Sequence, residues 1–76
     1  MANDDGIIER TPLTVIANEF TAIEVAVAQT PTGQRLELRD ARSRTSILLD
    51  PMQLEILTKQ RPEAFTELFR RDLDAT

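Results

Sequence analysis

Hydrophobic and polar positions alternate with period two through most of the chain, then change to a helical period near its end. AIEVAVAQT, Ala22 to Thr30, is the plainest case. Ile23, Val25 and Val27 fall on one side, and Glu24, Ala26 and Ala28 on the other. That pattern is the signature of a strand with one buried face. QRLELRDA resumes it, with Leu36 and Leu38 turned to the core and Arg35, Glu37 and Arg39 turned out. Between the two lies TPTG. Pro31 presets φ for the i+1 position of a turn and Gly33 supplies the freer position after it, so a hairpin is predicted there. Upstream, the β-branched start of LTVIANEF predicts a strand over roughly Leu13–Ala17 and a turn or bulge at Asn18–Thr21. Downstream, Asp40 opens a type I turn in DARS. RTSILLD then gives a short last strand, with Ile47 and Leu49 on one face and Leu48 on the other. Residues 1–11 carry Asp4, Asp5, Gly6 and Glu9 with only Ile7 and Ile8 to bury. They are expected to form a mobile tail, with order beginning near Pro12.

The period changes at Asp50-Pro51-Met52-Gln53. This reads as an N-cap, a proline at the first helical position and a glutamine at N3 that closes a capping box. The helix it opens carries Met52, Leu54, Ile56 and Leu57 and is predicted to run to about Gln60. Arg61-Pro62 interrupts it, because the residue before a proline avoids the helical region. Pro62 then starts a second helix, PEAFTELFRRDL. Phe65, Leu68, Phe69 and Leu73 fall at i, i+3, i+4 and i+8, a single apolar stripe. Glu63 near its start and Arg70 and Arg71 near its end suit the helix dipole. The final Asp74-Ala75-Thr76 is expected to fray. The expected fold is therefore α+β: a four-stranded antiparallel β-meander followed by two short C-terminal helices packed on one sheet face. It forms one small domain over residues 12–73.

Composition sharpens this picture. Three aromatics, Phe20, Phe65 and Phe69, must serve a chain of 76 residues with no Trp and no Tyr. So small a domain often relies on a disulfide, a metal or a partner subunit. There is no Cys and no His, so a disulfide is excluded and a zinc site would rest on carboxylates alone. Self-association is the staple that remains, and a homodimer is expected. The face opposite the helices would show Ala26 and Ala28 beside Arg35, Glu37 and Arg39. A solvated sheet face is the plain reading. The sharper one is a dimer seam, in which Ala26 and Ala28 allow close approach and Glu37 pairs across it with arginine.

Net charge is −4, which disfavours general binding to nucleic acid or to anionic membranes. The start MANDDGIIER is acidic and lacks an apolar core, unlike a signal peptide. With no apolar run long enough to span a bilayer, a cytoplasmic protein is expected. The charge is uneven, however. Residues 33–45 hold Arg35, Arg39, Arg42 and Arg44 against Glu37 and Asp40, a local excess of two positive charges. Arginine binds phosphate and carboxylate through a planar fork, so this hairpin is the candidate contact for a partner or for nucleic acid. Stacking aromatics that usually accompany single-strand binding are missing from it. The plainer reading is a solvated turn whose arginines pair with Glu37 and Asp40.

The order of four strands followed by a helix opened by LLDPMQLEIL resembles the strand-to-helix step of the positive-cofactor type of transcription coactivators. The resemblance is one of architecture over about half the chain. It implies a dimer that holds single-stranded nucleic acid.

Catalysis is poorly provided for. The common general base and the strongest nucleophile are absent with His and Cys. Ser43 and Ser46 lack a partner base, and the only glycines, Gly6 and Gly33, make no phosphate loop. No cofactor, metal site or catalytic residue is expected. The reading is a small non-enzymatic protein-protein interaction module, a homodimer. Arg35, Arg39, Arg42 and Arg44, with Arg70 and Arg71, are its candidate contacts. The alternative is a regulator binding single-stranded DNA or RNA through the arginine hairpin. The stripe of Phe65, Leu68 and Phe69 could also anchor a partner, but it is expected to pack on the protein's own sheet.

Overall fold

The structure is a computed structural model that describes the backbone of residues 6–75 and side chains through Asp72. Four strands form one antiparallel sheet in sequence order: β1 (Glu9–Ala17), β2 (Ala22–Thr30), β3 (Gly33–Asp40) and β4 (Ser46–Leu49). Two helices follow, α1 (Pro51–Leu57) and α2 (Pro62–Ala75). This is the α+β meander with two C-terminal helices that the alternation and the Asp50-Pro51 boundary predict.

The alternation fixes the register. Val25 lies opposite Leu38 and Val27 opposite Leu36, while Leu36 and Leu38 in turn face Leu49 and Ile47. These residues share the helix-side face. On the other, open face, Glu24 lies opposite Arg39, Ala26 opposite Glu37, and Ala28 opposite Arg35. Strand β1 starts at Glu9, so Glu9–Thr11, expected in the tail, belong to the sheet; residues 1–5 lie outside the described part. A bulge at Leu13 explains how β1 serves both faces. Arg10 and Pro12 lie opposite Ala28 and Ala26, but after the shift Thr14 and Ile16 lie opposite Val25 and Ile23. A regular strand would put positions 10 and 16 on one face; the extra residue moves Ile16 to the other.

Side chains close the turns. The Asn18 carboxamide oxygen accepts from the backbone N–H groups of Phe20 and Thr21, at 2.8 and 3.0 Å. Thr30 pairs with Gly33 across the Pro31-Thr32 loop, and Gly33 takes φ 129°, a value that side-chain-bearing residues avoid. At the N-terminus of α1 the capping box is complete. Asp50 Oδ1 accepts from Gln53 N at 2.8 Å, and Gln53 Oε1 accepts from Asp50 N at 2.9 Å. The first helix ends at Leu57, three residues before the expected Gln60. Thr58 turns its hydroxyl back to the carbonyl of Glu55 at 2.6 Å, and the chain leaves the helix ahead of Pro62.

Burial is where the chain is unusual. Among the described residues the buried set is Ala26, Ala28 and Glu37, all on the open face, and no large side chain is fully buried. Helix α1 meets β3, with Pro51 and Leu54 beside Val27 and Leu36. Helix α2 stands off. Its Phe65, Leu68 and Phe69 are 47%, 55% and 65% exposed. The expectation that this stripe packs on the chain's own sheet is therefore not met. Total accessible surface is 6230 Å², against about 4,700 Å² for a compact folded protein of this mass. The radius of gyration, 13.6 Å, likewise exceeds the ~11.4 Å expected at this length.

Candidate functional site

The arginine-bearing segment is built around Asp40. Its Oδ1 accepts from the backbone N–H of Arg42 at 2.8 Å and of Ser43 at 3.4 Å. Its backbone carbonyl accepts from Arg44 N at 2.8 Å, and its N–H donates to Thr45 O at 2.8 Å. The loop is thus wider than a type I turn, and Arg44 closes it with φ 67°. The N–H of Arg42, then that of Ser43, holds the Asp40 carboxyl below its ordinary 3.8.

The four arginines do not gather into one patch. Arg35 and Arg39 stand four residues apart on β3, about 13 Å along the open face. Arg42 and Arg44 sit on the loop beyond the end of the strand. Arg42 Nη2 donates to the Phe20 carbonyl at 3.0 Å and so ties this loop to the β1–β2 turn. Arg44 Nη1 lies 3.7 Å from Glu24 Oε2, both side chains being well exposed. Arg35 reaches the Thr32 hydroxyl at 3.4 Å.

Arg39 belongs to a different constellation, centred on Glu37. The Glu37 side chain is 3% exposed. Arg10 grips it with both ends of its fork, Nε to Oε1 at 2.5 Å and Nη2 to Oε2 at 3.0 Å. Arg39 Nη2 donates to the same Oε2 at 3.0 Å. The hydrogen bond from Arg10 holds the Glu37 carboxyl below its ordinary 4.5; desolvation works the other way and loses, and Arg39 adds to the lowering. Glu37 is therefore a neutralised anchor between β1 and β3 and is poorly suited to act as a base. Arg10 was not legible as its partner. The signal available was Glu37 itself, an acid between Leu36 and Leu38 that lies opposite Ala26 on β2.

This geometry bears on the seam expected at Ala26, Ala28 and Glu37. Ala26 is 6% exposed, Ala28 0% and Glu37 2% within the single chain. They have almost no surface left to give a second copy. Beside them the open face carries a shallow cleft of about 280 Å³, lined by Arg10, Pro12, Leu13, Val15, Glu24 and Arg39 among others.

Leu13 and Val15 on that cleft are 57% and 56% exposed, and further apolar surface lies on the opposite side. Ile16 is 66% exposed and Ile47 52%, at the two edges of the helix-side face. Under the C-terminal part of α2 there is a cleft of about 480 Å³, bordered by Ile23, Leu38, Ile47 and Asp72. Met52, Ile56 and Leu57 of α1 are 74%, 58% and 39% exposed. They add to the α2 stripe as apolar side chains that the chain leaves largely exposed.

Comparisons of the chain with protein-family models, with curated proteins and with solved structures each returned no match. Among the described residues no helix is long and apolar enough to cross a membrane. Among the same described residues no group of three or more His, Cys, Asp or Glu stands close enough to hold a metal ion.

Proposed function

We propose that this chain is a small non-enzymatic protein-interaction module that works as a homodimer. The observation that carries the reading is the surplus of surface. The chain exposes 6230 Å², some 1,500 Å² more than a compact monomer of its mass should. Suppose each of the six terminal residues outside the description is allowed the ~160 Å² it would have in an unfolded chain. Against a compact chain of the other 70 residues, for which about 4,400 Å² is expected, about 800 Å² of surplus still remains. One side of a stable interface buries about 800 Å², so the surplus is the size of one half-interface. It also has the right chemistry, because its exposed positions include Phe65, Leu68, Phe69, Met52, Ile56 and Ile47.

A non-enzymatic role is supported by the state of the buried carboxylate. Glu37 is neutralised by two guanidinium groups. A cytoplasmic location belongs to the same proposal and is tested by where the chain fractionates in the cell that makes it. Thermal unfolding over a hundredfold range of protein concentration tests the dimer. The midpoint should rise with concentration, because dissociation accompanies unfolding. A midpoint independent of concentration would contradict it.

A second reading, binding of single-stranded nucleic acid, is favoured by one observation: Arg42 and Arg44 are exposed at the end of the sheet. Amide-resolved titration with short mixed-sequence single strands tests it. Shifts confined to residues 34–45 that fade with added salt would make it the lead. Silence there would leave those arginines as loop fasteners or as contacts for protein.

A further inference from the structure

Resting on the homodimer reading, we propose that the two chains exchange their second helices. The Phe65, Leu68 and Phe69 stripe of α2 in each copy covers the helix-side sheet face of the other. Two surfaces in each chain are left unfinished, and they are complementary. One is a sheet face with a cleft of about 480 Å³ where a packed helix would sit, and with Ile16 and Ile47 open at its edges. The other is an amphipathic helix of 14 residues whose Phe65, Leu68 and Phe69 leave about half or more of their surface exposed. An apolar sheet face needs a second layer over it.

Area decides between helix-on-sheet and helix-on-helix pairing. Complete burial of what Phe65, Leu68 and Phe69 now expose would remove only about 300 Å² per chain, at roughly 200 Å² for a large apolar side chain. That is well short of the surplus of about 800–1,500 Å² per chain. Contact between two α2 helices alone would also leave both sheet faces open. Exchange covers both kinds of surface at once and uses the same patch on each copy, as two-fold symmetry requires. The segment joining Leu57 to Pro62 provides the hinge. It is exposed throughout, and its helix-ending bonds from Thr58, Lys59 and Gln60 all stay within α1.

The absence of Cys from the chain gives a clean test by site-specific disulfides. Ile47→Cys and Phe69→Cys would be prepared as separate single variants, mixed, unfolded and refolded together, and oxidised. A second mixture would pair Ile16→Cys with Phe65→Cys, in case either substitution in the first prevents folding. Each single variant is first checked for the parent's circular dichroism. The expected result is a covalent dimer joining the two different variants, in excess of either self-linked product, in at least one mixture. Phe69→Cys or Phe65→Cys linking chiefly to itself would mean helix-on-helix pairing and overturn the exchange. So would an intrachain disulfide in the Ile47→Cys/Phe69→Cys double variant, or a parent-like dimer mass with no cross-link in either mixture. A monomer mass for the parent would instead defeat the homodimer reading on which the exchange rests.

Discussion

Replacing Glu37 by glutamine keeps the shape of the side chain and removes the charge that Arg10 and Arg39 share. Removing one partner from a buried ion pair costs about 3–5 kcal/mol. The carboxylate is almost wholly enclosed, but the arginine side chains are 33% and 20% exposed. Water therefore takes up part of the stranded positive charge, and about 2–3 kcal/mol is the better expectation. A domain of this length has only about 4–11 kcal/mol in all. The expected fall in melting midpoint is about 10–20 °C, read by circular dichroism at matched protein concentration. Glu24→Gln is the control. Its pairing with Arg44 is long and exposed at both ends, so its cost should stay within about 0.5 kcal/mol.

Acidity gives a second readout with a definite sign. The Glu37 carboxyl is lowered in the folded chain, so its contribution is present above the unfolded value near 4.5. It is lost as pH falls through the lower, folded value. The parent should destabilise through that acid range more steeply than Glu37→Gln. A variant that melts within about 2 °C of the parent, with an equal acid limb, would refute the view that Glu37 fastens β1 to β3.

Asp50→Ala removes the side-chain half of the α1 capping box and should cost about 1 kcal/mol, measured by urea denaturation. Ala28→Leu forces volume into a position with no exposed surface and should cost about 1–3 kcal/mol. An unchanged midpoint would mean that the open face has room there. Leu68→Glu puts a charge on the exposed stripe of α2. It should weaken the pairing, so that the folded circular-dichroism signal is lost at higher protein concentration than in the parent; an unchanged concentration dependence would contradict this.

How much of this was legible depended on whether the cause was local. The period-two alternation from Ile23 to Val27 and from Leu36 to Leu38 carries the register of β2 and β3, because side-chain direction in a strand follows position alone. The Asp50, Pro51 and Gln53 cap is likewise written in three neighbouring residues. The arginine loop was partly legible. Asp40 marks where it opens, but its width depends on Arg44 adopting a left-handed conformation, which the sequence does not announce. Arg10 was hidden for a different reason. Its role depends on a bulge at Leu13 and on register across strands, so it reads as part of a polar tail until the sheet is assembled. Helix α2 misled in the opposite direction. An apolar stripe at helical spacing says that a surface must be covered, and nothing in the spacing says which chain covers it.

Sedimentation equilibrium on the intact chain is the most direct test of the central claim. One chain is 8.6 kDa, and the account predicts twice that mass at micromolar concentration, with loss of folded signal as dilution separates the copies. A folded species holding the mass of one chain at every concentration would contradict it, because Phe65, Leu68, Phe69 and Ile47 would then stand in water with nothing to cover them.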